Sequence, residues 1–108
     1  MFKCKGCGYI ADNEAPDVCP KCGAKKEMFE ALTEDASILI EKSRCTNYIH
    51  MEIVSLLNSI LALAESGIDE NLDPNCAKLF NYCEEQSIII TQMIKAELEA
   101  HMNKKKWG

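Results

Sequence analysis

The chain has 108 residues, 47% hydrophobic and 27% charged, with a formal net charge of −5. That length holds one small domain or two very small ones, and the acidic balance argues against nucleic acid as a partner. Seven cysteines, with no apolar run behind a basic start to act as a secretory signal, point to a reducing, cytoplasmic setting where thiols bind metal or lie buried.

Taken in chain order, the first segment is built on cysteines. Cys4-Lys5-Gly6-Cys7-Gly8 and Cys19-Pro20-Lys21-Cys22-Gly23 repeat one pattern, C-x-x-C-G. A two-residue spacer lets the chain turn so that both sulfurs of a pair face one centre, and two such turns supply four thiolates in a tetrahedron. That donor set suits iron or zinc. The glycine after each pair permits the positive φ that closes the turn and lets backbone N–H groups approach sulfur. A β-ribbon is expected around Phe2-Lys3 and Tyr9-Ile10, and Tyr9 with Phe29 is expected to form a miniature core. A piece of about thirty residues cannot bury enough apolar surface to fold unaided, so its metal is structural whatever else it does.

Beyond the cysteines, Ala15-Pro16-Asp17 stands just before the second pair, and Gly23-Ala24-x-Lys26-x-x-Phe29-Glu30 follows it. With Cys4-x-x-Cys7-Gly8-Tyr9, these residues resemble a rubredoxin-type iron site, in the short-loop form found in the rubredoxin-like domain of rubrerythrins. The resemblance covers about the first third of the chain. It implies one iron ion per chain, held as Fe(Cys)4 by Cys4, Cys7, Cys19 and Cys22 and cycling between ferric and ferrous states. It also implies that Cys7 and Cys22 lie nearer solvent and serve as the electron exit.

From Thr33 the pattern turns helical, so the expected domains are 1–32, a rubredoxin-like Cys4 metal-binding knuckle, and 33–108, an all-α antiparallel hairpin. Thr33 reads as an N-cap with Glu34 and Asp35 in the first turn. Ile38, Cys45, Ile49, Ile53, Leu56, Ile60 and Leu63 recur at near-heptad spacing and read as the seam of the first helix. Ser66-Gly67 is expected to end that helix, and Asp73-Pro74 to start the next, giving helices over about 34–66 and 74–105. Further apolar residues widen the face beyond one seam, which predicts a homodimer forming a four-helix bundle. The longest apolar patch, Ile53 to Ala64, is interrupted by Ser55, Asn58 and Ser59, and no membrane span is expected.

Rubrerythrins also carry a di-iron centre in a helical bundle, built with Glu-x-x-His motifs. Here Asn47 stands three residues before His50 and Leu98 three before His101, so neither histidine makes the motif. A hairpin folded about residue 70 would set His50 opposite Ile90 and Glu97 near Ser43. Glu97 and His101, one turn apart, read as surface neighbours, and Cys45, Cys76 and Cys83 as small core residues. Rubrerythrin-type peroxidase activity is therefore not expected.

The sequence reading is a non-enzymatic electron-transfer protein: an iron Fe(Cys)4 centre on a helical dimerisation scaffold, serving an unidentified redox protein. The alternative is a structural zinc ribbon whose helices act as an oligomerisation or adaptor module. A flavin or haem held between subunits, with His50 as axial ligand, is a weaker third reading.

Overall fold

The computed structural model describes residues 1–108. The chain divides into two compact units, Met1–Cys45 with Lys104–Gly108, and Thr46–Asn103.

In the first unit three short strands form an antiparallel sheet in the order β2-β1-β3: β1 Phe2–Cys4, β2 Ile10–Ala11 and β3 Phe29–Ala31. Phe2 pairs with both Ala11 and Ala31, and Cys4 pairs with Phe29. The β1–β2 ribbon lies where the sequence places it. β3 has no local signal, because three residues are too few to show alternation; pairing with β1 recruits it.

The buried apolar residues of this unit are Cys4, Ala11, Ala15, Cys19 and Ile40. Tyr9 does not join them. Its carbonyl is tied to the Cys4 N–H (2.9 Å) and the residue stays 37% exposed, so cysteines, alanines and Ile40 take the place of the expected aromatic core. Arg44 pairs with Asp12 and donates from Nε to the Gly108 carbonyl at 2.9 Å. A Cβ on Gly108 would lie 2.6 Å from Ile10 Cγ1, so only glycine fits there without a shift.

Two long helices follow, α1 over Glu34–Glu70 and α2 over Pro74–Asn103. Thr33 caps α1, its Oγ1 accepting the Ala36 N–H at 3.3 Å. Asp73 caps α2, with Oδ1 accepting the N–H groups of Asn75 and Cys76 at 2.9 Å each, and Pro74 takes the first turn, where no N–H is needed. Asn71, at φ 45°, turns the chain between them, a conformation asparagine tolerates.

Three expectations for the helices are corrected. First, α1 does not end at Ser66-Gly67 but runs to Glu70, while α2 ends at Asn103, close to the expected 105. Gly67 is a contact residue: a Cβ there would lie 2.5–2.6 Å from three ring atoms of Phe80. The glycine lets α2's aromatic ring approach the α1 backbone. Second, Gly67 facing Phe80 and Asn47 facing His101 set the hairpin register several residues from one folded about residue 70. His50 accordingly meets His101, not Ile90.

Third, the seam is a different stripe. Asn47, Leu57 and Ala64 of α1 are buried, with His50, Val54 and Leu61 half-buried between them. Ser87, Ile94 and His101 are the buried residues of α2. The richer stripe, Ile49, Ile53, Leu56, Ile60 and Leu63, is 39–72% exposed. Leu79, Tyr82, Ile89, Ile90 and Met93 on α2 are exposed as well. At about 100° per residue, the exposed stripes lie roughly 110° (α1) and 90° (α2) round their helices from the seam, in the same rotational sense along the sequence. Because the helices run antiparallel, like rotations bring both stripes to one side of the hairpin. An 18-residue window of α1 has mean hydropathy 1.4 and is only 11% buried, so by length and composition alone α1 could cross a membrane.

Candidate metal centre

The two cysteine knuckles are built alike, bond for bond. Cys4 N–H donates to Tyr9 O at 2.9 Å and Cys19 N–H to Ala24 O at 2.7 Å. Gly8 N–H donates to Cys4 O at 2.8 Å and Gly23 N–H to Cys19 O at 2.9 Å. Gly8 and Gly23 have φ of 78° and 73°, the left-handed region that glycine enters without a steric penalty. The C-x-x-C-G spacing thus folds twice into one turn.

The sheet and its following turn hold the knuckles face to face. Lys5 N–H donates to Met28 O at 2.9 Å beside the first knuckle. The second is closed by a Val18–Lys25 bridge and by Lys26 N–H donating to Asp17 O at 3.0 Å.

All four sulfurs fall within 4.8 Å of one another, with Cys4–Cys22 and Cys7–Cys19 at 3.7 Å. A disulfide needs about 2.05 Å, so these are not bonded pairs. A tetrahedral ion with metal–sulfur bonds of about 2.3 Å has sulfur–sulfur edges of about 3.8 Å. The spacing fits that geometry, and four soft thiolates are a donor set for iron or zinc. Cys45, Cys76 and Cys83 lie outside the cluster.

Residues 2–30 match the family model for the rubrerythrin rubredoxin-like domain. No curated protein and no solved structure matches the chain. The match ends at Glu30, so the two helices lie beyond it, and the rubredoxin-like domain with its four-cysteine metal site rests on sequence match and geometry together.

Within this domain the sulfurs are not equivalent. Cys4 and Cys19, the first of each pair, are buried; Cys7 is half-buried and Cys22 exposed. Burial opposes ionisation of Cys19, yet backbone N–H groups of Cys22 and Lys21, with the neighbouring thiols of Cys22 and Cys7, outweigh it and bring its pKa to about 7. Cys22 accepts the Ala24 N–H, which favours its thiolate, but the crowding thiols of Cys7, Cys19 and Cys4, together with burial, push it up to about 12. Four thiolates cannot share this space without a cation among them. Lysines near the knuckles are partly engaged, Lys5 with Glu30 at 3.8 Å and Lys26 with Asp17 at 3.6 Å.

The sequence reading missed a second cluster, in the helical unit. His101 is buried, with Nδ1 against Asn47 Oδ1 and Nε2 3.1 Å from Glu97 Oε1. His50 meets its ring edge to face, with centroids 5.9 Å apart. The i, i+4 spacing of Glu97 and His101 is visible in the sequence, but only the hairpin register brings His50 and Asn47 to it.

Proposed function

We propose that the protein is a one-electron carrier whose four-cysteine site holds iron. The observation carrying this reading is the unequal exposure of a saturated thiolate set: two sulfurs sealed in the protein, two turned toward solvent. Bound iron would supply a ferric–ferrous couple. Cys4 and Cys19 exclude water from one side, while Cys22 and Cys7 offer the short path by which an electron leaves to a docked redox protein. The N–H groups of Lys21, Cys22 and Ala24 spread thiolate charge and so bear on the potential. Four protein ligands fill a tetrahedral site, which supports electron transfer over substrate chemistry at this centre.

The helices serve, in this reading, as a dimerisation scaffold in a cytoplasmic protein. An apolar face on one side of the hairpin, with Glu52, Ser55, Asn58 and Ser59 exposed elsewhere on α1, fits a face covered by a second copy. A lipid-embedded helix would be apolar all round.

An absorption spectrum with elemental analysis, on protein expressed with iron in excess, tests the proposal. A red protein with one iron per rubredoxin-like domain, bleached by dithionite and restored by air, supports it. A colourless protein holding zinc at that site would replace it with the structural zinc-ribbon reading, since four thiolates suit zinc equally well.

A further inference from the structure

We propose that His50, Glu97 and His101 form a second metal site, for a first-row divalent cation, within the helical hairpin. All three belong to the Thr46–Asn103 unit, whereas the four clustered cysteines belong to the other unit.

His101 Nδ1 faces Asn47 Oδ1, and an amide oxygen can only accept, so Nδ1 carries the hydrogen. In a neutral ring that leaves the lone pair on Nε2, which faces Glu97 Oε1 at 3.1 Å. A lone pair and a carboxylate oxygen at that distance repel unless something positive lies between them. A proton would suffice for this pair alone.

A proton does not account for His50. Its Nδ1 is buried and has no hydrogen-bond partner, beside the His101 ring. A polar network that only fixed the helix register would satisfy its members, since an orphaned buried nitrogen is costly. One cation gives all three groups a partner. Two ligand atoms bound at about 2.1 Å in a tetrahedral site lie roughly 3.4 Å apart, close to the observed Nε2–Oε1 distance. Two imidazoles on one such ion have ring centroids about 5 Å apart, against 5.9 Å here, so His50 closes in on His101 when the ion binds. The contact from Asn47 is the outer-shell acceptor that a metal-bound histidine commonly has.

Two imidazoles and a carboxylate are borderline nitrogen and oxygen donors, suited to zinc, iron(II) or cobalt(II). Three protein ligands also leave room for water on the ion, unlike the saturated thiolate site. The class of cation follows from these donors, not from the rubredoxin-like domain.

The test uses the full chain with its thiolate site already filled. Zinc is titrated in by calorimetry, and bound metal is counted after gel filtration; cobalt(II) gives a second readout through the weak visible bands of nitrogen and oxygen ligation. One further ion per chain is expected. His50→Ala should abolish it, and Glu97→Gln, at a half-exposed position, should weaken it at least tenfold while helical circular dichroism is kept. No second ion in the wild-type chain would overturn the proposal. So would a second ion bound equally well by both variants, which would mark it as adventitious.

Discussion

Cys4 Sγ and Cys22 Sγ lie 3.7 Å apart although they stand eighteen positions apart in the chain, and Cys7 meets Cys19 at the same distance. Each contact crosses from one knuckle to the other, so an ion at their centre ties the two turns together. The strands around them are two or three residues long. Stripping the metal with a strong chelator is therefore expected to unfold this unit, since structural ions of this kind contribute on the order of 10 kcal/mol. Amide hydrogen exchange reads it: protection at Lys3 and Cys4 should vanish while protection within α2 persists. Retained protection at Lys3 would refute the expectation.

Metal loading should weaken in acid. With its pKa pushed up to about 12 by the crowded thiols, Cys22 holds its proton in the metal-free site at neutral pH and must release it to bind. Apparent affinity should then fall by at least about tenfold per pH unit below neutrality. Competition with a chromophoric chelator across pH 5.5 to 7.5 measures the slope; a flat profile would contradict it.

The Arg44 guanidinium holds the Asp12 carboxyl below its ordinary value. A carboxylate depressed in the folded state stabilises above its unfolded pKa, near 3.9, and that stability is lost as pH falls through the lower folded value. Both side chains are partly exposed, so Asp12→Asn should cost at most about 1 kcal/mol at pH 7. Urea denaturation should show the variant and wild type converging as pH falls below the ordinary carboxylate value near 3.9.

Gly67→Ala opposes two effects. Alanine gains about 1 kcal/mol of helix propensity over glycine. Its Cβ would meet the Phe80 ring at 2.5–2.6 Å, and overpacking of that kind costs about 1–3 kcal/mol. Net destabilisation is expected, and adding Phe80→Leu should recover part of the loss. A more stable single variant would mean that the ring turns aside freely.

Leu56 and Leu63 stand 64% and 72% exposed on the apolar side of α1. If a second copy covers that side, replacing both with lysine should yield monomers by light scattering, while Asn58→Lys, exposed and off the stripe, should leave the dimer intact. A wild-type monomer at micromolar concentration would refute the scaffold reading.

Much of this protein was written locally in its sequence. Two C-x-x-C-G turns close on hydrogen bonds within five residues, so their spacing alone determined each knuckle, while the sheet pairing of β1 with β3 brought the two pairs of sulfurs together. Thr33 and Asp73-Pro74 likewise determined where the helices begin, because a cap acts within one turn. Tertiary structure decided the rest. Both helices carry two stripes at helical period, and periodicity cannot say which one faces the other helix. The seam went to the stripe of Asn47, His50, Leu57 and Ala64, whose small and polar residues allow close approach and hydrogen bonding across it. The larger aliphatic stripe was left outside. That choice, and the register set by Gly67 against Phe80, brought His50 and Asn47 to His101 across a span no local signal could bridge.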